Sequence, residues 1–279
     1  MKIHQALLHP IYTTGLALGG GAILGAAHIG VLRALEEHQI KPDLISGTSI
    51  GALIAALYAF GVSVDDIEEM ALTLNWSNIT SLKLSKLSLF SNKKLGEIIS
   101  TTLGEVNIED AITPLAIVAC NIATGERVIL TSGPLAPAVM ASSCLPGIFS
   151  PVEINGQLLV DGGIAENVPV SALRDLGANN LIAVDLSAKA KYNQPNDVFD
   201  VISNAISIAI DNNTKSRTRP ADIIITPDLT SKSRTNTNPN EIKHMIDIGY
   251  KQTMEQLNKK LTLKTWLSGF LKKILRLFI

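Results

Sequence analysis

The sequence predicts an α/β protein whose parallel or mixed β-sheet is covered by helices on both faces. Three observations favour this fold class. Short apolar segments alternate along the chain with longer segments of helical spacing. Glycine-rich turns separate a strand from the following helix at residues 19–25 and 47–51. The chain has 279 residues, 46% of them apolar, and shows no internal repeat, so it can bury one large core or two modest ones, and a single domain is expected.

Composition and charge argue against several classes of protein. The net charge is −1, and no basic stripe occurs outside the C-terminal end, so nucleic acid is not an expected partner. The five histidines lack metal-ligand spacing, and we expect no metal. Cys120 and Cys144 lie in apolar segments, which favours buried free thiols over a disulfide. Without a secretory signal or a run of about 20 apolar residues, a cytoplasmic protein is expected.

The first predicted unit is a strand at residues 15–18, a glycine loop at 19–25 and a helix at 26–38. Backbone amides in such a loop form a site for negative charge. The glycine spacing is one residue too long for the dinucleotide fingerprint, and the lysine of a nucleotide-triphosphatase loop is absent. The remaining functional interpretation is an oxyanion hole; the structural alternative is packing of the helix against the strand. The amides proposed for the hole belong to Gly20, Gly21 and Ala22.

The second unit contains the sequence Gly-Thr-Ser-Ile-Gly at residues 47–51, between an apolar run and the helical segment 52–60. A G-x-S-x-G sequence between a strand and a helix indicates a nucleophile elbow, which makes Ser49 the candidate nucleophile. Glycine at positions 47 and 51 would permit a positive φ or close backbone approach. The motif alone is weak, because it arises by composition in about one chain in ten of this length.

The rest of the chain continues the alternation. Residues 76–92 alternate leucine with polar residues, which fits a strand, a surface loop or an apolar flap over a cleft. The other predicted elements are helices from Ser63 and at 92–103, 134–142, 172–176 and 198–210, and strands at 115–121, 127–131, 151–154, 157–160, 181–186 and 221–226. Asn155-Gly156 is a strong hairpin signal between two of these strands.

Asp161 ends a predicted buried strand and precedes Gly162 and Gly163, which would let a backbone or a substrate approach closely. An aspartate in a turn is the structural alternative. A serine nucleophile needs a base, and histidine is the usual one. His244 is the histidine that follows Asp161, and its charged helical surroundings are typical of a surface residue. This leaves a two-residue arrangement in which Ser49 attacks and Asp161 accepts its proton.

Four motifs in order give the sequence a resemblance to a known family. They are a glycine loop ending in Gly25 and feeding Ala-His-Ile-Gly-Val-Leu, Gly-Thr-Ser-Ile-Gly at 47–51, Ala-Ser-Ser-Cys-Leu-Pro-Gly-Ile-Phe at 141–149, and Asp-Gly-Gly at 161–163 followed by Asn167-Val-Pro169. From about Gly15 to Tyr250 the chain resembles the patatin-like phospholipases, particularly bacterial single-domain members. The resemblance implies a three-layer α/β/α fold with a mostly parallel central sheet. It also implies a Ser–Asp dyad, hydrolysis of fatty acyl esters through an acyl-enzyme, and no cofactor.

One residue of the glycine loop departs from the family pattern. The family usually has arginine or lysine immediately before the last glycine of the loop, whereas this chain has Leu24. A cation that could meet a lipid phosphate or fix the loop is therefore missing. An inactive relative that binds lipid or membrane is the alternative that this residue leaves open.

The C-terminal segment is basic and amphipathic. Residues 259–279 contain six basic residues and no acid, and their leucine, isoleucine, phenylalanine and tryptophan residues recur at helical spacing. Such a helix is typical of one that lies in a membrane interface, although it could dock onto the domain or a second subunit. We therefore expect a hydrolase domain at residues 1–258 and a membrane-associating helix at 259–279, with a homo-oligomer as a further possibility.

Overall fold

The structure, a computed structural model, describes residues 14–73, 81–85, 88–91, 93–189, 192, 194–196, 198–218, 220–234 and 237–275. The strands are β1 Thr14–Leu18, β2 Leu44–Thr48, β3 Ser81–Ser85, β4 Ser88–Ser91, β5 Leu115–Asn121, β6 Arg127–Leu130, β7 Val152–Ile154, β8 Gln157–Asp161, β9 Asn180–Val184 and β10 Ile223–Ile225. The helices are α1 Ala26–Glu37, α2 Ile50–Ala59, α3 Val64–Thr73, α4 Lys93–Leu103, α5 Leu135–Ser142, α6 Gly163–Glu166, α7 Val170–Asp175, α8 Val198–Arg217 and α9 Pro239–Leu275.

The main sheet is mostly parallel. Within the described residues, eight strands form it in the order β10, β9, β1, β2, β5, β8, β7, and β6 also pairs with β5. The pairs from β10 to β5 are parallel, whereas the pairs of β5 with β6, β5 with β8 and β8 with β7 are antiparallel. The predicted mostly parallel sheet is confirmed, with an antiparallel region at one edge.

Helices cover both faces of this sheet. Leu16 and Leu18 of β1 pack into a large core with residues of α1, α2 and α9. The intervening Ala17 packs on the other face with Val170 and Leu173 from the α7 region. Because successive side chains of a strand point to opposite faces, the apolar runs serve two cores at once. The predicted three-layer α/β/α fold is confirmed.

Helices α1 and α9 cross at nearly backbone contact. A Cβ atom added to Gly30 would lie 1.9 Å from the Ile246 carbonyl oxygen, and one added to Gly249 would lie 2.1 Å from the Ala27 carbonyl oxygen. Helix α9 continues without a break to Leu275, so the predicted C-terminal segment begins inside this helix. None of the described helices combines the length and the apolar character needed to cross a membrane.

Several local predictions are also confirmed. The Asn155-Gly156 turn has positive φ at both residues, 52° and 74°, and joins β7 to β8. Cys120 and Cys144 are buried free thiols. The leucine-alternating segment forms an antiparallel hairpin of β3 and β4. The rest of that segment, 76–80, 86–87 and 92, lies outside the described residues, so the flap stays a prediction.

Candidate active site

The register of four strands brings the predicted motifs to one level of the sheet. The opposed residues are Leu18 with Gly47, Thr48 with Val118, and Ala119 with Asp161. One step beyond Thr48, the chain reaches Ser49 at the level of Ala119 and therefore of Asp161. Two steps beyond Leu18, the glycine loop reaches the same level at Gly20. Residues distant in sequence thus meet because backbone hydrogen bonding fixes the alignment of their strands.

The turn at Ser49 has the geometry of a nucleophile elbow. Strand β2 ends at Thr48, α2 begins at Ile50, and Ser49 between them has φ 56° and ψ −126°. Such a conformation costs about 1–3 kcal/mol and persists only when its surroundings hold it. The Ser49 N–H donates to Ser142 Oγ at 2.9 Å, and the Ser142 hydroxyl donates to the Val118 carbonyl at 2.6 Å. Ser142, which the sequence showed only as part of a motif, therefore anchors the elbow to β5.

The elbow glycines are required for close packing. A Cβ atom on Gly47 would lie 2.5 Å from the Gly51 carbonyl oxygen, and one on Gly51 would lie 2.1 Å from the Leu18 carbonyl oxygen. Neither glycine has a positive φ, so close approach, the second of the two predicted reasons, applies. Gly25 and Gly162 are confined in the same way. A Cβ atom on Gly25 would lie 2.2 Å from Ile50 Cγ1, and one on Gly162 would lie 2.1 Å from the Val118 carbonyl oxygen.

Asp161 lies at the end of β8 with its carboxylate buried beside Ser49. It accepts a hydrogen bond from the Gly163 N–H at 2.8 Å, and the Ser49 side chain lies close enough to favour its charged form. Burial raises the pKa of Asp161 from 3.8 to about 6, although the Gly163 hydrogen bond and the nearby Ser49 side chain oppose this change by favouring the charged form. The carboxylate is therefore ionised at neutral pH and is a stronger base than an exposed aspartate.

The peptide between Gly19 and Gly20 is fixed at both ends. His28 Nε2 lies 2.8 Å from the Gly19 carbonyl oxygen, and the Gly20 N–H donates to the Asn167 carbonyl oxygen at 3.1 Å. Burial lowers the pKa of His28 to about 4, so the neutral ring acts as the donor. The structure corrects the prediction for Gly20: its only N–H is already bonded to a carbonyl and is not available to an oxyanion.

The amides of Gly21 and Ala22 differ from that of Gly20. In the part of the chain that the structure describes, neither amide donates to another residue. Ala22 begins a 3₁₀ turn that leads into α1, and it has a positive φ of 52°. Amides at the start of such a turn have no acceptor within it, so they can bind a ligand carrying negative charge.

The order and spacing of these motifs agree with a known family. The family model described as patatin-like phospholipase matches residues 16–174, which is more than half of the chain and includes Ser49 and Asp161. The chain belongs to the patatin-like phospholipase family. The curated relatives that it matches are longer proteins, and the chain spans less than half the length of those compared.

Two curated relatives and one solved structure illustrate the likeness. The chain is 38% identical over 189 residues to "Patatin-like phospholipase domain-containing protein ZK370.4" of Caenorhabditis elegans, covering 64% of this chain and 14% of that protein. It is 35% identical over 184 residues to "Lysophospholipase NTE1" of Pyricularia oryzae, covering 63% and 12%. The crystal structure of VipD from Legionella pneumophila aligns with a TM-score of 0.62 and 16% identity, covering 90% of this chain and 67% of VipD, which supports the shared fold.

Leu24, where this patatin-like chain departs from the family pattern, belongs to the core. Its side chain is 2% exposed and packs in the large hydrophobic cluster. It supplies no charge to the loop, as predicted.

His244 is not assembled with the dyad. It lies on α9, exposed, with Nδ1 2.8 Å from Lys232 Nζ. No hydrogen bond in the described part of the chain joins it to Ser49 or Asp161. The geometry of this patatin-like site therefore offers no support for a Ser-Asp-His triad.

Proposed function

We propose that this protein is a serine acyl-ester hydrolase that acts on lipid esters through a Ser49–Asp161 dyad. The observation that supports the proposal is the strand register that brings Ser49 to the level of the buried Asp161 carboxylate, beside a loop in which two amides make no hydrogen bond within the described residues. The names of the two relatives, a phospholipase-domain protein and a lysophospholipase, support lipid esters as the substrate class.

The first half of the proposed cycle acylates Ser49. Asp161 takes the hydroxyl proton while Ser49 Oγ forms a bond to the ester carbonyl carbon. The carbonyl electron pair moves to oxygen, and the amides of Gly21 and Ala22 donate to this oxyanion. When the carbonyl re-forms, the bond to the alcohol oxygen breaks. Asp161 returns the proton to the departing alcohol, which leaves an acyl-Ser49 ester.

The second half repeats these proton movements with water. Asp161 accepts a proton from a water molecule as its oxygen attacks the acyl carbon, and the same two amides stabilise the second oxyanion. Collapse expels Ser49 Oγ, which recovers a proton from Asp161, and the fatty acid leaves. The cycle uses only side chains, backbone amides and water, so this chemistry requires no cofactor.

The test of this proposal is a pair of assays on the wild-type protein. We expect hydrolysis of a p-nitrophenyl acyl ester and of a lysophospholipid. We also expect a fluorophosphonate probe to form a covalent adduct with Ser49 that peptide mass spectrometry locates. Absence of both hydrolysis and adduct would instead favour the lipid-binding alternative that Leu24 suggests.

We also propose that residues 259–279 attach the protein to a membrane surface. The segment continues α9, and its sequence combines basic residues with apolar residues at helical spacing. Anionic headgroups attract the basic residues, and the apolar residues are buried among the acyl chains. A lipid hydrolase attached in this way would meet its substrate without extracting it into water.

Charge reversal tests this attachment. We expect the triple variant Lys264→Glu, Lys272→Glu, Lys273→Glu to lose co-sedimentation with vesicles containing phosphatidylserine, because each basic residue near the surface contributes about 1 kcal/mol. Pure phosphatidylcholine vesicles provide the control, since they lack the attracting charge. Equal sedimentation of variant and wild type with the anionic vesicles would contradict the proposed role.

A further inference from the structure

The segment from Glu166, the last residue of α6, to Pro169 is bonded to both other parts of the candidate site. Its three contacts are Thr48 Oγ1 to the Glu166 carbonyl at 3.0 Å, Ser46 Oγ to the Pro169 carbonyl at 2.8 Å, and the Gly20 N–H to the Asn167 carbonyl at 3.1 Å. The first two contacts come from β2, which leads to Ser49, and the third comes from the glycine loop. The chain between residues 166 and 169 therefore joins the nucleophile, the loop and the aspartate segment.

An ion pair between the partly exposed Arg127 and the buried Glu166 holds this segment in place. The Glu166 carboxylate is 3% exposed and accepts hydrogen bonds from the Ser171 N–H at 2.8 Å and from Arg127 Nη1 at 2.7 Å. Arg127 also pairs with Asp175 of α7 at 2.6 Å. Because a buried carboxylate with these partners cannot move freely, the backbone at Asn167 is fixed relative to the sheet.

The Asn167 side chain lies between Gly20 of the glycine loop and Gly163, which follows Asp161 by two residues. Asn167 Oδ1 lies 2.6 Å from the position that a Cβ atom on Gly20 would take, and Ser49 Cβ lies 3.2 Å from that position. Asn167 Oδ1 also lies 3.1 Å from the position that a Cβ atom on Gly163 would take, and Asp161 Oδ1 lies 3.0 Å from that position. Asn167 is 6% exposed, and among the described residues its carboxamide makes no hydrogen bond.

We propose that Asn167 is a positioning residue of the dyad, whose neutral carboxamide packs between Gly20 of the glycine loop and Gly163 beside Asp161 while its carbonyl holds the loop. This inference rests on the proposed function, but its electrostatic part concerns Asp161 alone. A neutral side chain of this size keeps the glycine loop and the turn after Asp161 at a fixed separation. A carboxylate of the same shape would place a second negative charge beside Asp161.

The described groups around Asp161 include none that would compensate a second negative charge at position 167. The Cys120 thiol from β5 and the Cys144 thiol after α5 lie close enough for Asp161 to contribute to raising their pKa values, so both thiols are neutral near pH 6. The elbow contributes the Ser49 hydroxyl, and α8 contributes the apolar Ile210 side chain, which contacts the Gly163 region. In the described part of the chain, Asp161 has no ion-pair partner.

The decisive variant is Asn167→Asp, which changes charge with little change in shape. We expect the pKa of Asp161, followed by ¹³C carboxyl NMR, to rise by about one unit or more because like charges disfavour ionisation. Asn180→Asp is the matched control, because Asn180 is exposed and begins β9 at the end of the strands opposite the candidate site. An Asp161 titration that is the same in wild type, Asn167→Asp and Asn180→Asp would overturn the proposal.

Asn167→Ala tests the positioning role without adding charge. We expect kcat for ester hydrolysis to fall about 10- to 100-fold with KM changed less than twofold, because a small misplacement of catalytic groups lowers rate more than binding. Wild-type kcat in this variant would contradict the role, and so would a loss confined to KM. If the wild type hydrolyses no ester while Asn167→Asp still shifts the Asp161 titration, the proposed function fails and the placement of Asn167 stands.

Discussion

Replacing Asp161 with asparagine is expected to lower kcat for ester hydrolysis by about 10³–10⁴-fold, the contribution typical of a general base. The amide has nearly the shape of the carboxylate, but it cannot accept the Ser49 proton. Steady-state assays with a p-nitrophenyl ester measure the loss. His244→Ala is the control and should retain near wild-type kcat, because His244 contacts Lys232 and not the dyad. Equal losses of kcat in Asp161→Asn and His244→Ala would instead support a Ser-Asp-His triad.

The same carboxylate sets the expected pH dependence. Its pKa of about 6 means that the ionised, proton-accepting form is lost as the pH falls through 6. We therefore expect kcat/KM of the wild type to fall by about tenfold per pH unit below this value. The residual activity of Asp161→Asn should be flat over that range. A wild-type profile that stays level down to pH 4 would show that another group is the base.

Stability measurements distinguish the expected loss of kcat in Asp161→Asn from misfolding of that variant. The pKa of Asp161 is raised on folding, so the folded protein binds more protons than the unfolded chain between about 3.8 and 6, and the buried charge destabilises the fold at higher pH. Asp161→Asn should accordingly raise the free energy of unfolding at pH 7, by up to about 3 kcal/mol. Chemical denaturation of both proteins provides the comparison. A destabilised variant would indicate that its inactivity reflects damage to the structure.

Replacing Ser49 with alanine should have the largest effect of any single substitution, a loss of about 10⁴-fold or more in kcat. The variant has no nucleophile, so neither an acyl-enzyme nor a fluorophosphonate adduct can form. The backbone N–H that donates to Ser142 is retained, so the elbow should persist. Ser132→Ala, at an exposed serine outside the site, is the control for the substitution itself. Hydrolysis at the wild-type rate by Ser49→Ala would exclude the dyad mechanism.

The sequence was most informative where structure is local. A strand, a tight turn and a helix follow one another within residues 44–59, so the glycines and Ser49 of the elbow could be recognised directly. Asp161 could be selected in the same way, from its position at a strand end before two glycines. The hairpin at Asn155-Gly156 is a further local case, because those residues adopt positive φ readily.

Contacts between distant segments could not be predicted in this way. The Gly20 amide was assigned to the oxyanion hole because nothing in the glycine loop reveals that its acceptor is the carbonyl of Asn167. The anchoring of Ser49 by Ser142, and of the Gly19 carbonyl by His28, likewise depends on how strands and helices align. All three supporting residues lie inside the family motifs, which was the one available signal that they matter.

The alignment of β1, β2, β5 and β8 has a consequence for how such a protein can change. The loops beyond these strands can lengthen or shorten while the reactive groups keep their separation, so substrate preference can diversify there. One residue inserted within β5 would shift the chain by about 3.3 Å and reverse the facing of every side chain after it. Insertions and deletions should therefore be tolerated in the loops that connect the strands and not inside the strands themselves.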